Sequence, residues 1–295
     1  MMKIGFVGLG RMGKWMAGNI AKRGFDIIVF DIDPTAMEYP VGQGAMPATS
    51  LPGVARASDI IILSLPNDDV CDHAIFGSNG IAGNARPGTI LVDCGTSGYV
   101  WTRSTAGRLA EAEIIFLDAP VTGLEEKAQA GTLIIMVGGP EDVQEKVRPV
   151  LETMGETIKH MGVVGSGQLA KMINNVIYNA NIANLAEILP MAMKLGLDPQ
   201  KIADIINSGS GRSFASEYFI PKMLAGRFRD AYSLGSAYKD MQHMQAAAKQ
   251  FDKFLPNFHA TMDTYGKALD MGLENEDKGA MLKVFEKELE VLFRI

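Results

Sequence analysis

The sequence predicts an α/β domain, a doubly wound sheet flanked by helices, followed by an all-α domain reached through one long helix. Three observations carry that expectation. Short β-branched runs, nearly continuous in apolar character, alternate with helix-like segments through the first half. A glycine-rich junction at Gly162, Gly165 and Gly167 ends the alternation. Beyond about Met161 the apolar residues recur with helical spacing and no run reads as a strand.

The first run is Lys3–Val7. A glycine turn follows, and then Met12–Arg23, whose helical spacing stops at Gly24, a residue suited to closing a helix. Asp26–Asp31, Ile60–Leu65, Thr89–Asp93, Ile114–Asp118 and Leu133–Val137 complete the strands, each bounded by Gly, Pro or Asp. Continuous rather than alternating apolar character is what strands covered on both faces require. Strand–helix–strand repetition calls for right-handed crossovers, and hence for a Rossmann-like sheet. In the second half Gln168–Lys194 reads as one long helix. Pro199–Asn207, Phe214–Leu224, Leu234–Phe251, Asn257–Gly272 and Glu276–Phe293 follow it. The expected division is residues 1–164 and 165–295, with the active cleft between the two domains.

Composition narrows the function. The 295 residues are 47% hydrophobic and 21% charged, which is globular and neither disordered nor fibrous. A net charge of −6 without a dense Lys/Arg patch argues against nucleic acid as a partner. Cys71 and Cys94 are too few for a disulfide framework, so a reducing compartment is expected. A strand-like run beginning at Lys3 leaves no room for a targeting segment, and the cytoplasm is the expected location. The longest uncharged stretch, between Lys171 and Glu187, holds Asn174, Asn175, Asn179, Asn181 and Asn184 and does not suit a membrane. His73, His160, His243 and His259 are scattered, which supports neither a metal site nor a Ser–His triad.

The strongest local motif is Gly8-Leu9-Gly10-Arg11-Met12-Gly13, placed after the first strand and at the start of a helix. Gly8 permits a tight turn, Gly10 lets a pyrophosphate approach the backbone, and Gly13 permits close helix–strand packing. The helix N-terminus adds free N–H groups and a positive dipole. Asp31 ends the second strand near the ~20-residue offset expected of an acid that binds the adenosine ribose. A carboxylate there accepts from both ribose hydroxyls and repels a 2′-phosphate, which favours NAD over NADP. Pro66 and Asn67 after the third strand, and Gly95-Thr96-Ser97 after the fourth, fall at the carboxyl ends where ligands bind. They read equally as ribose or nicotinamide contacts and as ordinary turns.

Lys171, Asn174, Asn175 and Tyr178 share one face of the long helix. A partly buried lysine among amides could exchange a proton with a substrate oxygen. Spacing alone gives more weight to a lysine that reaches solvent at the helix start.

Several separated segments together resemble the β-hydroxyacid dehydrogenases, the group of 3-hydroxyisobutyrate dehydrogenase and tartronate semialdehyde reductase. They are Gly5–Gly13, Leu65-Pro66-Asn67, Asp118-Ala119-Pro120-Val121-Thr122-Gly123, Ala130-Gly131-Thr132-Leu133, Gly165–Asn175 and Tyr238-Lys239-Asp240, in family order across nearly the whole chain. The resemblance reverses the weighing of Lys171 and implies that it is the catalytic acid–base. It implies that Thr122 and Gly123 receive a substrate carboxylate and that Asn175, with Asn174 beside it, holds the substrate. Thr96, Pro66, Asn67 and Lys239 align with cofactor contacts, beside Gly8, Leu9, Gly10, Arg11, Met12, Gly13 and Asp31. The implied reaction is NAD-dependent oxidation of a small 3-hydroxy acid to its semialdehyde or keto acid, or the reverse. Lys171 would take the hydroxyl proton in one direction and return it in the other. The implied assembly is a homodimer or homotetramer.

Two departures stand out. The family loop usually reads Ser-Gly-Gly where this chain has Thr122-Gly123-Leu124, followed by Glu125 and Glu126, and Gly95 replaces the serine usual before Thr96. Arg212 could receive a second anionic group of a larger substrate or make an intersubunit ion pair. Two alternatives remain open. One is an NADPH-dependent small-aldehyde or imine reductase of the same architecture, against which Lys171 and Asp31 weigh. The other is a catalytically silent NAD-binding module.

Overall fold

The computed structural model describes residues 2–251 and 253–295, and the chain parts into two compact units between Lys171 and Met172. In the first unit the order is β1 (Lys3–Val7), α1 (Gly13–Lys22), β2 (Asp26–Phe30), α2 (Glu38–Gly42), β3 (Met46–Pro47), α3 (Leu51–Ala57), β4 (Ile60–Leu63) and α4 (Asp68–Phe76). It continues through β5 (Ile90–Asp93), α5 (Tyr99–Glu111), β6 (Ile115–Asp118), β7 (Val121–Thr122), α6 (Leu124–Ala130), β8 (Leu133–Gly138), α7 (Glu141–Leu151) and β9 (Gly155–Gly162).

The strands form one sheet in the order β3-β2-β1-β4-β5-β6-β8-β7, with β9 beside β8. The order reverses between β1 and β4, which are parallel, and this is the switch point where such sheets open a crevice for ligands. From β3 to β6 the sheet is parallel throughout, as expected. The far side is mixed, because β8 runs antiparallel to β6 and β7 and parallel to β9.

Packing explains the continuous apolar runs. Successive residues of one strand enter different cores. Ile60 and Ile62 join Ile4, Phe6 and Val92 in one cluster, whereas Ile61 and Leu63 join Val7, Leu91 and Phe116 in the other. Neither face can then carry polar residues. The sequence reading missed β3, β7 and β9. Two of these are two-residue edges, and β9 carries Glu156, Lys159 and His160 because an edge strand is half solvated.

The second unit is helical. The helix α8 (Ser166–Lys194) enters it from the first, followed by α9 (Pro199–Ser208), α10 (Phe214–Leu224), α11 (Leu234–Ala248), α12 (Pro256–Asp270) and α13 (Leu282–Leu289). Starts are fixed by side chains: Asp198 accepts from the Lys201 N–H, and Ser213 forms a reciprocal capping box with Ser216. Phe219, Met223, Leu234, Met241, Tyr265 and Leu282 form its core. The expected single helix over Glu276–Phe293 is instead a 3₁₀ turn, Lys278–Met281, leading into α13. Asp277 starts that turn by accepting from the Gly279 N–H, and Glu290 ends α13 at φ 55. Among the described residues no helix is long and apolar enough to cross a membrane.

Candidate active site

The three glycines of the turn after β1 stand in three different settings. Gly8 holds φ +91, and a Cβ there would stand 2.9 Å from a Leu65 methyl. A Cβ on Gly13 would collide with the Gly8 carbonyl, so α1 can lie against the end of β1 only with glycine there. Gly10 is different: nothing lies within 4 Å of where its Cβ would be. The same stretch lacks a side-chain cap at Met12 and an acid in the first turn of α1, which leaves its positive end to an outside anion. Glycines, open space and an uncapped helix end fit a dinucleotide pyrophosphate.

Asp31 closes this corner. One carboxylate oxygen accepts from the Leu9 N–H at 2.6 Å and the other from the Asp33 N–H at 2.9 Å. Each keeps a further lone pair for a hydroxyl. Arg11 is largely exposed, and its Nε donates to Glu125 at 3.3 Å. Trp15 Nε1 donates to the other oxygen of that carboxylate at 2.9 Å. Arg11, Lys14 and Trp15 hold the Glu125 carboxyl below its usual range, the Trp15 bond contributing most. The pair Glu125-Glu126 lies in the first turn of α6, where acids complement the positive end of the helix dipole, and Glu125 binds α6 to α1.

The strand ends carry a buried polar network that the sequence reading overlooked. Asn67 is the N-cap of α4, accepting from the Val70 N–H at 2.9 Å, with Pro66 just before it. Asp93 and Asp118 end adjacent strands and are paired in register. Asp93 accepts from the Gly95 N–H at 2.9 Å and the Ser97 hydroxyl at 2.7 Å. Gln168, fully buried, donates to the Gly95 carbonyl at 2.9 Å and accepts from the Ser97 N–H at 3.1 Å, so the loop bearing Thr96 is tied to α8. Asp118 accepts from the Gly165 and Gln168 N–H groups at 2.7 and 2.8 Å, an anion set at the N-terminus of α8. Burial pushes both acids up, Asp93 to about 6. The available signal was a lone acid closing each of two neighbouring apolar runs. Gly95 is closely surrounded, since a Cβ there would stand 3.0 Å from the Leu65 carbonyl and from Asp93.

Lys171 is half-buried, and its Nζ donates to the Val121 carbonyl at 2.8 Å. That bond sets it beside the Thr122–Gly123 loop. Val121 and Thr122 are held by pairing with Ile135 and Ile134 of β8, Gly123 takes φ +142, and Leu124 opens α6 at φ +61.

In the helical unit Asn175 Nδ2 donates to Asp240 at 3.0 Å. A carboxylate only accepts here, so the amide nitrogen must face it. Asn174 lies exposed beside Asn175, and Lys239 Nζ stands 3.5 Å from Asp240. Tyr178 is mostly buried, which raises its phenol, and Lys278 Nζ lies 4.0 Å over its ring while donating to Asn179 at 2.9 Å. Arg212 is engaged inside this unit, Nε to Glu217 at 2.6 Å. Among the described residues no group of three His, Cys, Asp or Glu side chains could hold a metal.

Two family descriptions match consecutive parts of the chain. Residues 3–162 match the "NAD binding domain of 6-phosphogluconate dehydrogenase", and residues 165–285 match "NAD-binding of NADP-dependent 3-hydroxyisobutyrate dehydrogenase". A curated relative, 2-(hydroxymethyl)glutarate dehydrogenase of Eubacterium barkeri, is 38% identical over 97% of this chain and 95% of its own. The chain belongs to the β-hydroxyacid dehydrogenase family. Its members include 2-hydroxy-3-oxopropionate reductase of Escherichia coli, 33% identical over 97% of both chains. A solved structure of 3-hydroxyisobutyrate dehydrogenase from Mycobacterium tuberculosis superposes with a TM-score of 0.85 at 30% identity, covering 96% of this chain and 98% of that one. The chain is therefore an NAD(P)-binding oxidoreductase of the hydroxy-acid class, with a Rossmann-like domain and a helical one.

Proposed function

We propose that this enzyme interconverts a small 3-hydroxy acid and its semialdehyde or keto acid, with NAD as the preferred cofactor and Lys171 as the acid–base. The observation that carries the reading is the Lys171 Nζ–Val121 bond of 2.8 Å, which sets the lysine nitrogen at the residue just before Thr122 and Gly123. Thr122 and the Gly123 backbone receive the substrate carboxylate. Lys171 takes the proton of the hydroxyl as the carbonyl forms and returns it in reduction, a contribution of typically 10²–10⁴-fold. Asn175, its amide turned by Asp240 and flanked by Asn174, holds the substrate by hydrogen bonds.

Gly8, Leu9, Gly10, Arg11, Met12 and Gly13 would hold the pyrophosphate, Asp31 the adenosine ribose, and Pro66, Asn67, Thr96 and Lys239 the nicotinamide end. When bound, the nicotinamide supplies the hydride acceptor or donor, and the protein supplies position and charge. Asp31 supports NAD over NADP, since its carboxylate, fixed by two backbone N–H groups, opposes a 2′-phosphate. Exposed Ile177, Ile205 and Phe214 of the helical unit support a homodimer or homotetramer.

The test is NADH formation across a panel of 3-hydroxy acids, run with NAD and NADP and repeated with Lys171→Ala. Turnover with NAD that drops at least a hundredfold in the variant, at unchanged NADH affinity, is the expected result. A variant that loses NADH binding instead would make Lys171 structural.

A further inference from the structure

From Ile90 to Gly98 every residue is buried except Thr96, which is half-buried. One side-chain amide holds both peptide groups that flank this residue. Gln168 Nε2 donates to the Gly95 carbonyl at 2.9 Å, and Gln168 Oε1 accepts from the Ser97 N–H at 3.1 Å. A carbonyl only accepts and an N–H only donates, so the amide fits in one orientation. Its second hydrogen faces Asp93 at 3.4 Å, and Asp93 itself accepts from the Gly95 N–H and the Ser97 hydroxyl. Gln168 is fully buried, and its backbone N–H donates to Asp118 at 2.8 Å. Three residues further along the same helix, Lys171 Nζ reaches the Val121 carbonyl. The first turns of α8 therefore fix two things at once, the backbone on either side of Thr96 and the place of Lys171.

On the reading proposed above, Thr96 meets the nicotinamide end of the cofactor and Lys171 meets the substrate hydroxyl. We infer that Gln168 is the positioning residue between them: by holding both peptide groups of Thr96 it seats the nicotinamide in register with Lys171. Hydride and proton leave the same substrate, so the two acceptors need one fixed spacing, and a displacement of about 1 Å costs about 10²-fold in rate. The adenosine end is held separately, since the Asp31 bonds run to Leu9 and Asp33. Loss of the Gln168 amide therefore weakens the nicotinamide half of the cofactor site and spares the adenosine half.

The experiment titrates NADH and ADP-ribose calorimetrically into wild type, Gln168→Met and Gln168→Asn. ADP-ribose is the cofactor without its nicotinamide. Methionine keeps the length and shape of the side chain and removes its bonds; asparagine keeps an amide on a stem too short to span both peptides. NADH binding weakens about fivefold in both variants, the effect of losing one or two hydrogen bonds, and ADP-ribose binding moves less than about twofold. With NAD and 3-hydroxy-2-methylpropanoate or 2,3-dihydroxypropanoate, kcat falls at least about tenfold. If one variant does not fold, the other decides. An equal loss of both ligands, or no loss of either beyond about twofold, makes Gln168 a purely structural tie and overturns the inference. So does a kcat that stays within about twofold of wild type. A wild-type enzyme that oxidises neither acid, while the variants still separate NADH from ADP-ribose, overturns the substrate reading and leaves the hold of Gln168 on the nicotinamide loop standing.

Discussion

Asp93 offers a test of the buried network through stability rather than turnover. Its carboxyl is fully buried, and loss of hydration is the main reason that its pKa rises from the ordinary 3.8 to about 6. The Ser97 and Gly95 donors oppose that rise, and Asp118, its register partner, adds to it. The folded state thus binds a proton more tightly than the unfolded chain. Stability contributed by this group is fully present below about pH 4 and is lost as pH rises through about 6. Over the complete titration the displacement is worth about 3 kcal/mol, of which about 2 kcal/mol falls between pH 4.5 and 7. Asp93→Asn removes the titration and leaves every other group in place. The difference in unfolding free energy, variant minus wild type, should therefore become more positive by about 2 kcal/mol from pH 4.5 to 7 in urea titrations. A difference flat to within about 0.5 kcal/mol over that range would mean that Asp93 is not held in the dry, like-charged setting described.

The glycine turn separates fold from ligand. Gly13→Ala should cost about 1–3 kcal/mol in thermal or urea unfolding, because its Cβ meets the Gly8 carbonyl. Gly10→Ala should leave stability unchanged and weaken NADH binding, read by fluorescence titration; equal NADH affinity would place the pyrophosphate elsewhere. Asp31→Ser should lower the ratio of kcat/KM with NAD to that with NADP by about tenfold or more, and an unmoved ratio would remove Asp31 as the selecting group.

Much of the first domain was legible because burial on both faces forces one pattern. Ile60–Leu63 and Ile90–Val92 could be nothing but apolar when alternate residues enter two different cores. The strand β9 was illegible for the converse reason: its edge position leaves Glu156, Lys159 and His160 in contact with solvent, so no apolar period marks it. The break within Glu276–Phe293 was masked too, since Asp277 caps a turn through its own backbone neighbourhood while the apolar spacing runs on. In the glycine turn, Gly8 and Gly13 were readable because each has a physical reason to lack a side chain. Gln168 was not, because a polar residue in a helix shows its partners only when distant strand ends are brought to it.

The same distance effect explains why two separately recognisable segments act as one device. Asp118 and Val121 lie at the two ends of a four-residue stretch that leaves β6 and enters β7. The Asp118 carboxylate takes the Gly165 and Gln168 N–H groups, and the Val121 carbonyl takes the Lys171 ammonium. The first turns of α8 are therefore clasped at both ends, by a carboxylate on the positive end of the helix and by a carbonyl on its first cationic side chain. The two Asp118 bonds are buried and have no competing water, and any sliding of α8 along the sheet would leave that carboxylate unpaired at a cost of several kcal/mol. Apolar packing alone tolerates small slips; this clasp does not. Under the mechanism proposed above, a lysine that meets a hydroxyl within hydrogen-bond reach needs that degree of registration. On that proposal Asp118 would serve the chemistry by fixing where Lys171 stands, with Thr122 and Gly123 on the same stretch of chain.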